Sequence, residues 1–202
     1  MPVEWTPHRF SGGALALDVA NTVVLRGDAA RSFDRFDDPA EIARFAHAAA
    51  IHRAEELGGC ALHVAEPARI ASKVIALREA TDRLFRQRAA SGQLRAGDLP
   101  PFLARCAAML EGSDMRVAGT ANPFGDLRSS IPFEAALALS ALSLLESARM
   151  QRIRICSNCR WLFLDESRNR SRIWCDMAVC GNRRKAQRHY RRRKPIGEEQ
   201  HA

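Results

Sequence analysis

Four cysteines near the C-terminal end constrain this chain more than any other feature: Cys156 and Cys159 in C-S-N-C, then Cys175 and Cys180 in C-D-M-A-V-C, with fifteen residues between the pairs. Each pair fits a tight turn that aims two sulfurs at one point. The insert is long enough to fold the second turn back onto the first. Thiolates are soft ligands, and four of them complete a tetrahedral zinc shell with no open position for water or substrate. The spacing therefore predicts one structural zinc per chain on Cys156, Cys159, Cys175 and Cys180. Disulfides or an iron–sulfur cluster are the competing uses of such pairs. Cys60 and Cys106 stand alone and read as buried or partly buried thiols.

The charge is unevenly placed. Of a net +8, residues 1–150 carry 17 basic and 18 acidic side chains, whereas residues 151–194 carry 14 basic and 3 acidic ones. A near-neutral body joined to a strongly positive end reads as a sensing or scaffolding domain attached to a polyanion-binding module. All but three of the 31 basic residues are arginines, whose planar fork suits phosphate and guanine. No apolar run approaches the roughly 20 residues that span a bilayer, and the start lacks a basic-then-apolar leader. The expectation is a cytoplasmic, reducing location without a membrane partner, where clustered cysteines more often hold metal than form disulfides.

The body, residues 1–150, reads as mainly α. Gly12-Gly13 precedes an apolar segment, Ala14 to Leu25, expected to be helical. Asp38-Pro39-Ala40-Glu41 carries an N-cap carboxylate, a proline at the first helical position and a glutamate that reaches back, which predicts a helix to about Leu57. A long helix is expected from Pro67 to about Ala90, before Gly92, with Ile70, Val74, Leu77 and Leu84 at helical spacing. Asp98 is expected to cap another, with Phe102, Leu103, Cys106 and Leu110 facing inward. Met115-Arg116-Val117 suits one small β-hairpin, and Ser130 with Pro132 suits the start of a last body helix. Asp18, Asn21 and Thr22 interrupt the first apolar segment on one helix face. They read as a buried polar cluster or, alternatively, as the lining of a small-molecule effector pocket.

In the cysteine module, residues 151–194, Arg160 to Leu164 is strand-like and Arg172-Ile173-Trp174 is expected to return as its partner strand. A helix follows from Asp176, with Ala186 and Tyr190 spaced to pack back on the hairpin. Knuckle, hairpin and helix in that order make a treble-clef-like finger. Residues 183–194 hold eight basic residues in twelve and no acid. Such a surface repels itself unless an anion neutralises it. Arg184, Lys185, Arg188, Arg191 and Arg192 are expected on phosphates, with Asn182 and Arg183 near base edges. A second use for Asn182 is to hydrogen-bond a cysteine sulfur or cap the local backbone. Residues 195–202 read as a tail.

Cys180-Gly181-Asn182-Arg183, with the surrounding W-L-F-L-D-E-S-R-N-R-S-R-I-W-C-D-M-A-V-C, resembles the CGNR zinc fingers. Leu17-Asp18-Val19-Ala20-Asn21-Thr22 resembles the L-D-x-x-N-T motif of the ABATE domain, and Ala76-Leu77-Arg78-Glu79-Ala80 with Leu84-Phe85 is similar to that domain's long helix. The resemblance covers nearly all the chain. It implies a bacterial arrangement classed as a stress-induced transcription regulator, with metal ligands at Cys156, Cys159, Cys175 and Cys180.

These readings together favour a zinc-dependent protein that binds double-stranded DNA and regulates transcription in response to stress. The alternative is an RNA-binding or protein-docking adaptor whose finger is purely structural. A single finger spans about three base pairs, so a homodimer or another partner is expected to pair two. No Ser-His-Asp arrangement, glycine-rich phosphate loop or H-E-x-x-H motif supports an enzyme.

Overall fold

The computed structural model describes residues 2–115, 117 and 130–193, without the side chains of residues 188, 189 and 191–193. Helices dominate the body: α1 (Leu15–Ala20), α2 (Ala40–His52), α3 (Pro67–Ser91), α4 (Leu99–Leu110), α5 (Phe133–Ser143) and the short α6 (Ser147–Met150). α5 is apolar almost all round, and Phe133 with Ala135 to Ala141 is buried, so it runs through the centre. α1, α3 and α4 pack around it. Trp5, Phe10, Phe36 and Phe133 all set their rings within 6.4 Å of Phe45 or one another, filling the end nearest α2. α3 ends as its sequence predicts: Gly92 adopts φ +77° and donates its N–H to the Arg88 carbonyl.

Several boundaries differ from the sequence reading, each for a local reason. The first helix stops at Ala20 rather than Leu25, because Val23–Val24 (β1) pairs antiparallel with Phe33–Asp34 (β2). β-branched valines lose less as strand than as helix. α2 ends at His52, five residues short of Leu57. Asp38 does cap it, accepting from Ala40 N–H at 2.9 Å, but Glu41 turns away to accept from Val3 N–H and Trp5 Nε1, both at 3.0 Å. On α4, Phe102, Cys106 and Met109 face inward, whereas Leu103 is 42% exposed. Asp98 accepts from Gln87 Nε2 on α3 instead of capping α4. Ile131–Pro132 (β4) pairs parallel with Leu62–His63 (β3), so the last long helix starts at Phe133 and Ser130 sits beside His63. The hairpin expected around Met115-Arg116-Val117 runs into residues outside the described ones, as do Lys194 and the tail at 195–202.

Asp18, Asn21 and Thr22 are buried and each has protein partners. Asp18 accepts from Gly12 N–H at 2.8 Å and from Arg53 Nε at 2.5 Å. Thr22 Oγ1 donates to the Val19 carbonyl and accepts from Arg78. Asn21 reaches into the C-terminal module. This is the buried polar cluster of the two readings drawn from the sequence, and its polar atoms are taken up within the protein.

Burial pushes the Asp18 carboxyl up to about 6, against the opposing pull of Arg53 and Gly12 N–H. A carboxyl near 3.9 in the unfolded chain and near 6 in the folded one takes up a proton on folding between those values. Its contribution to stability therefore grows as pH falls from about 7 to 5. Melting curves over that range are expected to show this gain in the parent, and to lack it in Asp18→Asn when the two are subtracted.

Candidate metal centre

The first cysteine pair lies in the turn of a hairpin, β5 (Ile153–Ile155) against β6 (Leu162–Leu164), with Arg154 opposite Phe163. Within that turn Cys156 N–H donates to the Trp161 carbonyl at 2.8 Å, and Arg160 N–H donates to the Cys156 carbonyl at 3.0 Å. Arg160 adopts φ +66°, the left-handed conformation that closes the knuckle. The strand expected at Arg172-Ile173-Trp174 is absent. β6 already has β5 as partner on residues before the first cysteine, so the return segment is irregular and touches the knuckle through one bond, Ser157 N–H to the Ile173 carbonyl at 2.9 Å. Asp165 shapes that return, accepting from Ser167 N–H, Ser167 Oγ and Arg172 N–H. Arg172 then lies over the Phe163 ring and donates to the Cys175 carbonyl.

Of the second pair, Cys180 sits on a π-helical turn, Met177–Gly181, that leads into α7 (Asn182–Arg193), and Cys175 lies just before the turn. Asp176 caps it, its Oδ1 accepting from Val179 N–H and its carbonyl accepting from Cys180 N–H and Gly181 N–H. The wide turn brings Cys180, five residues on, back beside Cys175. Gly181 is buried against Met177 and Trp174, and a Cβ there would displace the flexible end of Met177.

All four sulfurs lie within 4.8 Å of one another, and Cys156, Cys175 and Cys180 are buried while Cys159 is half-buried. The Cys159–Cys175 separation is 3.6 Å and the Cys175–Cys180 separation 3.7 Å. Four sulfurs at about 2.3 Å from a tetrahedral ion stand about 3.8 Å apart, whereas a disulfide needs about 2.05 Å. The donor set thus fits a tetrahedral metal and not crosslinks, and no disulfide joins any of the four. Hydrogen bonds from Cys159 and Cys175 pull Cys156 far below the usual thiol range. The same contacts and burial hold a proton on Cys159 and push Cys175 up to about 12. Without a cation, a second thiolate beside that of Cys156 is disfavoured at Cys159 and Cys175. Four thiolates together require a cation to neutralise them. Ser11, from the body, puts a buried hydroxyl without another partner beside Cys175, placed to donate to its thiolate.

The finger is fused to the body across a dense seam. Asn21 Nδ2 donates to the Leu162 carbonyl and Asn21 Oδ1 accepts from Leu162 N–H, both at 2.9 Å. One side chain thereby completes the edge of β6 as a further strand would. Leu164 N–H donates to the Gly12 carbonyl at 2.8 Å, and Gly13, at φ +84°, leaves room for no side chain, since a Cβ there would lie 2.9 Å from Leu164 Cβ. Ile153, Leu162 and Leu164 belong to the same apolar core as α1, α3 and α5. His8 Nδ1 meets Asp176 Oδ2 at 2.9 Å and stacks on Trp161, and Arg86 donates to the Arg160 carbonyl at 2.8 Å.

Arg35 also faces this seam. Its guanidinium lies 5.4 Å from the Trp161 ring centroid and 5.6 Å from that of Phe33, and it is 6% exposed. No carboxylate pairs with it among the described residues. Burial and the neighbouring Arg9 hold its pKa down at about 10. Two cation–π contacts return about 1–4 kcal/mol, against a penalty of several kcal/mol for removing an ion from water. The contacts alone leave that charge under-compensated.

The basic start of α7 is open. Asn182, Arg183, Arg184 and Lys185 are all exposed, and the Asn182 amide donates to the Ala178 carbonyl at 2.9 Å, local backbone capping. Arg188, Arg191 and Arg192 lie on α7, with side chains outside the described ones. Ala186 is exposed and Tyr190 is 68% exposed, so neither packs back on the hairpin as expected. The sequence reading missed His8, Ser11, Arg35, Arg86 and Asp165, because each acts across a distance that no local spacing encodes. Asp176 alone carried a signal, an acidic residue three before a backbone N–H that needs a cap.

Comparison with family models gives two matches. Residues 152–193 match the CGNR zinc finger, and residues 13–148 match ABATE, described as "Putative stress-induced transcription regulator". No curated protein and no solved structure matches the chain. The ABATE match spans more than half of the sequence, and the chain belongs to that family, with a CGNR zinc finger following it.

Proposed function

We propose that this ABATE-family chain is a cytoplasmic, zinc-dependent regulator of transcription that grips duplex DNA with its finger. The observation that carries the reading is the first turn of α7. Arg183, Arg184 and Lys185 are exposed directly after the ligand Cys180, and no carboxylate pairs with them among the described residues. Zinc, when bound, supplies a fixed tetrahedral anchor and a full ligand shell; no catalytic step is assigned to it or to the chain. Cys156 and Cys159 hold the hairpin, and Cys175 and Cys180 hold the turn that aims α7. Arg184 and Lys185 then contact phosphate, while Arg183 reaches a base edge. A homodimer pairs two such fingers, because about three base pairs per finger is too short a site for a genome. Among the described residues no helix is long and apolar enough to cross a membrane.

The reading is tested by binding a duplex at several salt concentrations. With about 5–7 phosphate contacts, log affinity falls against log salt with a slope of about −4.5 to −6.5. Arg184→Ala and Lys185→Ala are each expected to flatten that slope by about one and to weaken all sequences alike. Arg183→Ala is expected to cost about 1–3 kcal/mol at one base position. Binding to duplex that ignores salt, or no binding, rejects the reading. The second reading, an RNA-binding or protein-docking adaptor, is favoured by the exposed Ile173, Met177 and Tyr190 on the finger. Preference for single strands or RNA over duplex selects it.

A further inference from the structure

We propose that Arg35, with Arg9 beside it, forms a binding site for the carboxylate of a small molecule at the seam between body and finger. A guanidinium has five N–H donors, and Arg35 gives one of them a protein acceptor, the Asn21 carbonyl at a long 3.4 Å. No other acceptor for it occurs among the described residues, and the charge that acts on it is that of another cation, Arg9. The guanidinium lies over both the Phe33 and the Trp161 ring, which confines it, and a guanidinium so placed suits a planar carboxylate. Phe33 is 54% exposed, which leaves the outer side of this stack open.

Arg35 also lines a cleft of about 440 Å³, whose other charged residues are Arg44, Asp34, Asp37, Asp38 and Glu41. Asp34 is committed to Arg78 and to Phe36 N–H, Asp38 to Ala40 N–H, and Glu41 to Val3 N–H, Trp5 Nε1 and Arg44. Among the described residues no ion pair joins Asp37 to Arg35. The acids of that cleft repel a polyanion. A nucleic acid backbone is therefore the wrong occupant, and a compact group of single charge is the right one. Two features on opposite sides of Arg35 make the position consequential. Its backbone N–H donates to the Thr22 carbonyl in the body, and its guanidinium covers Trp161, two residues after the ligand Cys159. An occupant of the cleft thus sits on the body and bears on the finger through the contact of Arg35 with Trp161.

The test uses the full metal-loaded chain in low-salt buffer, with sodium acetate, sodium phosphate and sodium chloride compared at equal ionic strength. Acetate is expected to raise the melting temperature saturably by several degrees beyond chloride, with binding visible by calorimetry. Arg35→Met removes the buried charge and keeps a flexible apolar stem between the rings. It is expected to melt no lower than the parent without added anion, and to lose the acetate response. Arg35→Lys, which keeps charge without the fork, is expected to bind acetate at least tenfold more weakly. No difference between acetate and chloride overturns the proposal. So does an Arg35→Met variant that melts several degrees lower without anion, which would make Arg35 a packing clamp. A shift with phosphate and none with acetate overturns the carboxylate assignment. None of these measurements involves DNA, so they stand apart from the fate of the regulator reading.

Discussion

Stripping the metal with a strong chelator is expected to collapse the finger and to lower the melting temperature of the helical body with it. Structural zinc in isolated fingers is worth about 10–16 kcal/mol, and that free energy is folding free energy. From the sequence, chelation is expected to melt residues 156–190 and spare the body. The structure changes that expectation, because Ile153, Leu162 and Leu164 are buried in the body's own core. Releasing the hairpin exposes three large side chains and their slot, at about 1.5–3 kcal/mol for each. Metal analysis is expected to find one zinc per chain, and Cys175→Ser to retain little of it. Helical circular dichroism followed during chelation reads the body. Full zinc retention in Cys175→Ser would rule out the four-sulfur site, and unchanged body melting would rule out the shared core.

Replacing Asn21 by alanine is the single substitution expected to cost most outside the cysteines. It removes two hydrogen bonds at once and leaves the Leu162 N–H and carbonyl buried without partners. Each unsatisfied group costs about 1–3 kcal/mol, so the loss is about 2–5 kcal/mol by chemical denaturation. Asn21→Asp is expected to fail as well, since it keeps the acceptor, loses the donor and buries a charge. Stability left intact, with a ligand response abolished, would return Asp18, Asn21 and Thr22 to the role of an effector pocket.

The sequence made the metal site legible because its ligands come in two local pairs, and a pair needs only a turn to work. The same locality made α3 readable, from Pro67 at its start to Gly92 at its end. What stayed hidden depends on partners far along the chain. Arg160 to Leu164 reads as a strand, yet its mate is Ile153–Ile155 and not the aromatic return at Arg172 to Trp174. Asn21 looks like an interruption in a helix until Leu162 arrives, 141 positions later, to be bonded by it. Tyr190 sits at helical spacing from Ala186, but α7 meets only its own leading turn among the more closely packed elements, so the spacing has nothing to pack against. Boundaries such as Ala20 and His52 were missed for the same reason: a strand partner or a turn outside the window set them.

The glycine corner at Gly12-Gly13 and the Asn21 clasp bear on how the protein is made. A ribosome delivers residues 1–150 before the hairpin that fills their core. Until Leu162 and Leu164 emerge, the nascent body carries an open apolar slot and an unengaged amide at its centre. A stretch synthesised after the body is therefore also the piece that closes it. A chain cut before Leu162 is expected to leave that slot open, with Leu162 and Leu164 missing from the body's core.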